Sequence, residues 1–263
     1  MEQPLEFATR LARKVGRVLL EHLGDEQSSR LKPDLSIVTQ ADLAADRLIA
    51  ASIQKNYPGE PIVSEELHPQ LSGDPSGGMW IIDPLDGTTN YSLGLPFWGI
   101  SIARLVRGWP QSAVLYFPQL DELYSAQLGL GATFNDEPLK VKSPSLERHA
   151  AFFSCCSRTY RNYDVTIPYK PRILGSAVYS LSCVARNIAL IGFEATPKIW
   201  DIAGVWLLVM EAGGSIQTLD GSQPFPVRPG IDYTRASFPT LAADTPELIS
   251  WARGKIKAKK EIS

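Results

Sequence analysis

Histidine is scarce in this chain, and its scarcity limits the kinds of metal site that the chain can build. Only three histidines occur among 263 residues, at His22, His68 and His149, far apart in the sequence. We therefore expect no zinc site made of nitrogen and sulfur ligands. Any metal ion would have to be bound by oxygen atoms.

Cysteine is equally rare, with Cys155, Cys156 and Cys183 as the three occurrences. An odd number that includes an adjacent pair gives no disulfide framework, so we expect a cytoplasmic protein with reduced thiols. The longest apolar runs are too short to cross a membrane. The N-terminus lacks the basic-then-apolar order of a signal peptide.

Charge of one sign is not in excess either. The chain carries 28 acidic and 26 basic residues, for a formal net charge of −2. This balance gives no overall attraction to nucleic acid or to an anionic membrane, and we expect neither as a partner. Hydrophobic residues make up 44% of the chain, which is enough for a sizeable core.

Hydrophobic spacing divides the chain into blocks of helices and short strands. Helical spacing is found at 5–23, from Thr39 to the stop at Pro58, and at 176–190, 201–212 and 245–257. Strands are predicted at 62–64, 80–83, 98–106, 112–117, 122–127, 150–155 and 215–218. Loops or turn-rich stretches are predicted at 25–36, 68–78, 129–139 and 158–171. This order favours layered sheets and helices with mostly antiparallel pairing.

Acidic residues stand at the ends of these elements in four places. They are Asp42 at the start of the second helix, Glu65 and Glu66 after IVS, Asp83 and Asp86 in WIIDPLDGTTNY (80–91), and Asp201 in KIWDIAG. Singly, each has an ordinary explanation as a helix cap, a turn or a solvated pair. Together they are harder to explain this way, because an unpaired carboxylate directly after the apolar WII is costly.

An oxygen-rich cluster without histidine suits Mg²⁺, Ca²⁺ or Mn²⁺. Two such ions about 3.5–4 Å apart are a recurring device for phosphoryl transfer. The residues after Asp86, Gly87 to Asn90, are able to open a short helix whose N–H groups bind an anion. Thr88 offers a hydroxyl to hold a water molecule. The combination indicates a phosphatase.

These motifs resemble those of the inositol monophosphatase family of Mg²⁺-dependent, lithium-sensitive phosphatases. The resemblance rests on IVSEE (62–66), WIIDPLDGTTNY (80–91) and WDIAGVWLLVMEAGG (200–214), and it extends roughly from Leu5 to Gly214. It implies an α+β fold, the layered αβαβα sandwich of the sugar phosphatases. One compact catalytic unit would have two halves, 1–145 with most metal ligands and 146–263 with Asp201 and the substrate contacts.

The resemblance also implies a role for each matching residue. Glu65, Asp83 and the Leu85 carbonyl would hold one metal ion, and Asp83, Asp86 and Asp201 a second. Glu66 would support this cluster or reach the metal through water. Thr88, oriented by Asp42, would position the attacking water together with Glu65. The amides of Gly87 and Thr88 would bind phosphate, and the substrate contacts would be Asp86, Gly175, Ser176, Ala177, Glu194 and Asp201.

The implied reaction is hydrolysis of a phosphate monoester on a small polyol or sugar, by in-line attack of water assisted by two or three Mg²⁺ ions. Mn²⁺ would be a possible substitute and Li⁺ an inhibitor. Inositol 1-phosphate is the first candidate substrate. Fructose 1,6-bisphosphate, 3′-phosphoadenosine 5′-phosphate, histidinol phosphate and NADP are alternatives with the same acidic motifs. A catalytically silent, metal-binding regulatory homologue is the alternative outside the enzymes.

Substrate choice is expected to depend on residues 158–198, where the chain departs from the family pattern. The segment RNIALIGFEATPKIWD places the apolar Leu190 near a position where the family commonly carries an acid. The loop 158–171, rich in tyrosine and arginine, fits a surface loop as well as a substrate lid. The resemblance also implies a homodimer, and the aromatic residues of the 98–117 meander fit either its interface or the core.

Overall fold

The computed structural model describes residues 2–24, 30–31, 37–141 and 151–259. In these ranges the helices are α1 (Pro4–Glu21), α2 (Gln40–Asn56), α3 (Thr88–Ser92), α4 (Thr159–Asn162), α5 (Ala177–Ala185), α6 (Ile199–Glu211) and α7 (Pro246–Arg253). The strands of the first half are β1 (Arg30–Leu31), β2 (Ile37–Val38), β3 (Ile62–Ser64), β4 (Met79–Asp86), β5 (Gly99–Val106), β6 (Trp109–Phe117), β7 (Glu122–Gln127), β8 (Gly131–Phe134) and β9 (Glu137–Leu139). Those of the second half are β10 (Phe152–Cys155), β11 (Tyr163–Val165), β12 (Pro171–Arg172), β13 (Ala189–Glu194), β14 (Ser215–Thr218), β15 (Thr240–Ala243) and β16 (Ile256–Ala258).

Two larger sheets organise the protein. The first has seven strands in the order β3-β4-β5-β6-β7-β8-β9 and is antiparallel except for the parallel pair β3–β4. The second has five strands in the order β12-β10-β13-β15-β14. In it β10 runs parallel to β12 and β13, and the remaining pairs are antiparallel. The predominance of antiparallel pairing agrees with the sequence prediction.

Successive residues of each strand face opposite sides of the sheet and thereby join the layers. In β4, Ile82 packs in one cluster with residues of α1 and α2, whereas Ile81 packs with α5 and α6. In β15, Ala242 belongs to the α5–α6 cluster, and Leu241 packs with α7. The layers are therefore α1 and α2, the first sheet, α5 and α6, the second sheet, and α7. This is the αβαβα sandwich that the resemblance to the family implied, and it confirms the layered arrangement predicted from the pattern of elements.

Helix α6 packs closely against the first sheet because Gly204 has no side chain. A Cβ atom at this position would lie 2.7 Å from Cδ2 of Leu115 and 2.8 Å from Oγ of Ser101. The close packing holds the first turn of α6, which carries Asp201, near the end of β4.

The predicted helix 176–190 is wrong at its C-terminal end. Helix α5 ends at Ala185, where Asn187 adopts a left-handed conformation with φ of 61°. Ile188 N donates to Cys183 O at 3.0 Å and Asn187 N to Val184 O at 2.9 Å, which is a Schellman cap with asparagine in place of glycine. The residues that follow form β13, a strand that the sequence analysis missed together with β15.

The predicted helix 245–257 also runs too far. Helix α7 ends at Arg253, Gly254 caps it, and Ile256–Ala258 pairs with β11 as an antiparallel strand. The stretch 129–139 is more regular than predicted, because its turns join the short strands β8 and β9. The loop 158–171 contains α4 and β11. Apart from 30–31, the predicted loop 25–36 lies outside the described residues, as do the half boundary at 145–146 and Ala150, the first residue of the predicted strand 150–155.

Most aromatic residues of the meander belong to the core, and Trp109, which is 50% exposed, is the exception. Trp98 and Phe117 are completely buried within the chain, so they are not available to an interface. Leu190, at the position where the sequence departs from the family pattern, is likewise buried and packs in the cluster of the second sheet with α7. Among the described helices, none has the length and hydrophobicity needed to span a membrane.

Candidate active site

The acidic residues of the first half meet those of the second half in one cleft of about 490 Å³. The predicted site residues that line it are Glu65, Asp83, Leu85, Asp86, Gly87, Thr88, Gly175, Ser176, Ala177, Glu194 and Asp201. Asp42 and Glu66 do not line the cleft, but each is connected to a residue that does. The structure thus brings together residues that are more than 130 positions apart in the sequence.

An irregularity in β4 points Asp83 and Asp86 to the same side. In a regular strand, residues three apart face opposite sides of the sheet. Here the pairing with β5 shifts between Asp83, which is opposite Ser101, and Asp86, which is opposite Gly99. The extra residue in β4, at Pro84 and Leu85, is a β-bulge, a feature that often re-aims side chains next to active sites.

Three carboxylates converge at this point. One oxygen atom from each of Asp83, Asp86 and Asp201 lies within 4.8 Å of the others. Burial raises the pKa of Asp83 well above its ordinary value, and the negative charges of Glu65, Asp86 and Asp201 raise it further. Burial likewise raises the pKa of Asp201 to about 8, helped by the charges of Asp86 and Glu65. Without a cation, the cluster therefore holds protons at neutral pH.

Asp86 is fixed by the start of α5. Its carboxylate accepts hydrogen bonds from Ser176 Oγ, from Ala177 N at 3.1 Å and from Val178 N at 3.0 Å. Burial raises the pKa of Asp86 to about 6, and these donors limit the rise. Two predicted substrate contacts, Ser176 and Ala177, thus hold a carboxylate of the cluster in this structure.

Asp201 is oriented by its own helix. Its Oδ2 accepts a hydrogen bond of 2.7 Å from Lys198 N, so the side chain caps the first turn of α6. Asp83 is oriented in a similar local way, because its Oδ1 accepts from Leu85 N at 3.0 Å. In both Asp83 and Asp201, one carboxylate oxygen accepts a hydrogen bond from a backbone N–H group nearby in the sequence.

Thr88 connects the cleft to Asp42. The Thr88 hydroxyl lies 3.0 Å from Oδ1 of Asp42 and 3.1 Å from the Leu85 carbonyl. The other oxygen of Asp42 accepts hydrogen bonds from Thr39 N and Thr39 Oγ1. Burial raises the pKa of Asp42 to about 6 against the opposing effect of these hydrogen bonds. The predicted pair of Asp42 and Thr88 is therefore in contact.

A buried acid that the sequence analysis missed supports Glu65 and Glu66. Asp46 of α2 is completely buried, and its Oδ2 accepts from Ser64 Oγ at 2.7 Å and from Leu67 N at 3.0 Å. His68 Nδ1 lies 3.7 Å from its other oxygen. Asp46 thus fastens both ends of the turn that carries the two glutamates. Asp46 is four residues after Asp42 on the same predicted helix, and this spacing could have indicated that both acids face the site.

The wall near Glu194 is also well defined. Glu194 ends β13, is 4% exposed, and its Oε1 has no hydrogen-bond partner within the described residues. Burial raises the pKa of Glu194 well above its ordinary value. Gly175 reaches this wall with φ of 78°, and a Cβ atom there would lie 2.8 Å from the side-chain amide of Asn90. That amide donates to the carbonyls of Phe97 and Leu174.

The donor set fits a hard divalent cation. The three converging side chains, Asp83, Asp86 and Asp201, offer only oxygen atoms, and the chain forms no ion pair with any of them across the ranges described. Buried carboxylates this close together are stable only when protonated or bound to a cation. Mg²⁺ and Mn²⁺ prefer such oxygen ligands.

The cleft also contains residues to which the sequence analysis gave no individual role. They are Thr89, Cys156, Ser157, Arg158, Arg161, Thr196 and Pro197. Most of them follow the ends of β10 and β13. Because β13 was not recognised from the sequence, its end could not be placed beside β10. The spacing of three between Arg158 and Arg161 was the one sequence pattern that could have indicated that the two side chains lie together.

Comparisons with known proteins agree with this geometry. Residues 1–250 match the model of the inositol monophosphatase family. The chain is 36% identical to an inositol-1-monophosphatase of Mesorhizobium japonicum, over 83% of this chain and 86% of that protein. It is 34% identical to the Nus factor SuhB of Pasteurella multocida, over 86% and 88%. It is 35% identical to a fructose-1,6-bisphosphatase/inositol-1-monophosphatase of Thermotoga maritima, over 83% and 86%.

Among solved structures, the extragenic suppressor protein SuhB from Bartonella henselae superposes with a TM-score of 0.80 at 27% identity. The match covers 95% of this chain and 96% of that one. The inositol monophosphatase of Thermotoga maritima gives a TM-score of 0.77 at 28% identity, with the same coverage of 95% and 96%.

Proposed function

The chain belongs to the inositol monophosphatase family of phosphatases, and we propose that it hydrolyses phosphate monoesters of small polyols or sugars with the help of Mg²⁺. The observation that carries this proposal is the convergence of Asp83, Asp86 and Asp201 within 4.8 Å in a cleft that also contains Thr88. A relative named inositol-1-monophosphatase makes inositol 1-phosphate the first substrate to test.

The carboxylates of the cleft would hold two or three metal ions. Glu65, Asp83 and the Leu85 carbonyl would hold one, and Asp83, Asp86 and Asp201 a second, with Glu66 in support. When bound, the ions would supply Lewis acidity toward water and phosphate and would neutralise the charge that develops in the transition state. Mn²⁺ is expected to substitute for Mg²⁺, and Li⁺ to inhibit.

Thr88 and Asp42 would orient the attacking water. Because the Thr88 hydroxyl is able to donate its single proton to Asp42, its lone pairs remain available to accept a hydrogen bond from water. A pKa of about 6 makes Asp42 a base suited to neutral pH, acting through Thr88. Glu65, on the same cleft, would accept from the water on another side.

The bonds exchanged follow from this placement. A bond forms between the water oxygen and phosphorus as the bond from phosphorus to the ester oxygen breaks. The water loses a proton toward Thr88 and Asp42, and the leaving alcohol gains one from solvent in the cleft. The backbone amides of Gly87 and Thr88, at the start of α3, would bind the phosphate oxygens.

The alcohol part of the substrate would lie against the second wall of the cleft. There the unpartnered Oε1 of Glu194 is suited to accept a hydrogen bond from a substrate hydroxyl. Gly175, Ser176 and Ala177 border the same space, and Asp86 and Asp201 reach it from the metal side.

Phosphate release from a panel of monoesters, with Mg²⁺ and with EDTA, tests the proposal. The panel includes inositol 1-phosphate, fructose 1,6-bisphosphate, 3′-phosphoadenosine 5′-phosphate, histidinol phosphate and NADP. We expect Mg²⁺-dependent release from at least one of them, and loss of that release in the Asp83→Asn variant purified in parallel. Activity that persists in EDTA, or in Asp83→Asn, would contradict the proposal.

The alternative outside the enzymes is a catalytically silent regulatory protein. A relative named Nus factor SuhB keeps this alternative open for the chain. It predicts metal binding without phosphate release from any member of the panel. Four of the proposed metal-binding carboxylates and Thr88 line the cleft, and Asp42 contacts Thr88 from behind it. We therefore favour the enzyme. A homodimer in the cytoplasm remains part of the proposal, and the three free thiols fit a reducing compartment.

A further inference from the structure

Two arginine side chains line the same cleft as the proposed metal ligands. Arg158 caps α4 and Arg161 follows three residues later, so both lie on one face of this short helix. They are the cationic side chains among the described residues that line the cleft. The metal ligands, in contrast, come from β4, α6 and the end of β3.

Neither arginine is neutralised by the protein in the described ranges. No carboxylate forms an ion pair with Arg158 or Arg161, although five carboxylates line the same cleft. Arg158 Nη1 donates to Thr196 Oγ1 at 2.9 Å, which fixes the side chain next to the segment after β13. A guanidinium has five N–H donors, so most of those on Arg158 remain available to a ligand.

The position of the pair indicates which part of a substrate it would meet. The phosphoryl group that is cleaved would lie at Asp83, Asp86 and Asp201. Thr196, which holds Arg158, is two residues beyond Glu194, the residue proposed to contact the alcohol part of the substrate. The arginines are therefore neighbours of the alcohol part. Two unpaired guanidinium groups suit a phosphate group, because each is able to bind it through two N–H donors.

We propose that Arg158 and Arg161 bind a second phosphate group of the substrate, and that the preferred substrates are therefore small bisphosphates. The inference rests on the proposed function and deepens it, because it separates bisphosphorylated candidates from monophosphates that share the same chemistry. A bisphosphate would be preferred over the corresponding monophosphate because only the bisphosphate carries the second phosphate group that the arginines bind. The expected gain in kcat/KM for the bisphosphate is moderate, because Arg158 and Arg161 are exposed to solvent.

Matched substrate pairs test the inference. Fructose 1-phosphate and fructose 1,6-bisphosphate differ only in the second phosphate, and adenosine 3′-phosphate and 3′-phosphoadenosine 5′-phosphate form a second pair. The quantity measured is the ratio of kcat/KM for the bisphosphate to that for the monophosphate. We expect a ratio of about ten or more in the natural protein for at least one pair. Arg161→Gln should lower that ratio about fivefold, and the double variant with Arg158→Gln further.

Two controls separate charge recognition from a structural effect. Arg161→Lys keeps the charge and should retain most of the ratio. Arg17→Gln removes an exposed arginine from α1, outside the cleft, and should leave the ratio unchanged. A ratio near one in the natural protein would overturn the inference. So would the same ratio in the natural protein and the double variant, or an equal loss on both members of a pair.

Calorimetric binding of fructose 1,6-bisphosphate and fructose 1-phosphate, in Mg²⁺, separates failure of this inference from failure of the proposed function. If the bisphosphate binds more tightly through the arginines and no phosphate is released, the inference stands and the proposed function fails. If phosphate is released while both sugars bind equally in the natural protein and the double variant, the proposed function stands and the inference fails.

Discussion

Replacing Asp83 with asparagine should stabilise the metal-free protein and abolish its activity. The side chain is 1% exposed, and its Oδ1 accepts from Leu85 N, a hydrogen bond that asparagine preserves. The substitution removes an ionisable carboxyl from a site where burial and the charges of Glu65, Asp86 and Asp201 disfavour its charged form. Because shape and the hydrogen bond are kept, the change in stability reports the charge.

The expected magnitude follows from burial. A buried carboxyl group without a compensating partner costs at least about 2 kcal/mol, and for a protein of this size each kcal/mol moves Tm by about 2–4 °C. At pH 8 without metal, Asp83→Asn should therefore melt roughly 4–8 °C above the natural protein. Because the pKa of Asp83 is raised in the folded state, its carboxyl group contributes to stability only at low pH. This contribution is lost progressively as pH increases above about 4, the pKa in the unfolded chain. The stability difference between Asp83→Asn and the natural protein should therefore be smaller at pH 5 than at pH 8.

Mg²⁺ should reverse the order of the two melting temperatures, so that the natural protein melts above Asp83→Asn. The natural protein should gain about 2–3 kcal/mol at a concentration one hundred times its Kd, whereas Asp83→Asn should gain little. Phosphate release should fall by about a hundredfold or more. Thermal melts at pH 5 and 8, with Mg²⁺ and with EDTA, measure stability, and Asp220→Asn is the exposed control. If Asp83→Asn melted below the natural protein at pH 8 in EDTA, or kept its response to Mg²⁺, the reasoning would be wrong.

Three further substitutions test other parts of the site. Thr88→Ala should lower kcat about a hundredfold with little change in the Mg²⁺ concentration for half-maximal rate, and Thr88→Ser should restore most of kcat; an unchanged kcat would remove Thr88 from the reaction. Asp46→Ala should raise that Mg²⁺ concentration about tenfold, with kcat at saturating Mg²⁺ within about threefold, and Asp46→Asn should have a smaller effect; a loss of kcat alone would contradict a positioning role. Gly175→Ala should lower Tm by about 4–8 °C in a thermal melt, because its Cβ would lie only 2.8 Å from the side-chain amide of Asn90. An unchanged Tm would show that Asn90 is able to move away and that the contact does not constrain the site.

The acidic site was predictable because its residues lie in contiguous stretches with strong local signals. Asp83 lies within a strand that is buried along its whole length, directly after the apolar Trp80, Ile81 and Ile82, and Asp42 has the spacing of a capping box. The layered fold followed from the same kind of pattern. Convergence of Asp201 with Asp83 came from the resemblance to the family, and in the structure it depends on the close approach allowed by Gly204.

The second wall of the cleft was not predictable in the same way. Strand β13 is buried on both faces, so its apolar residues show no alternation that would separate it from the helix before it. Asn187 ends that helix in a conformation more typical of glycine. Arg158 and Arg161 depend on this strand for their position, through Thr196. A local pattern does not show a contact between segments almost 40 residues apart.

A crystal of the protein soaked in Mn²⁺ tests the central claim most directly, through anomalous scattering from the metal. The account predicts two peaks about 3.5–4 Å apart, within bonding distance of Glu65, Asp83, Asp86 and Asp201. Asp83→Asn crystals treated in the same way should lose at least one of them. A cluster that remains free of anomalous signal in the natural protein at saturating Mn²⁺ would contradict the account.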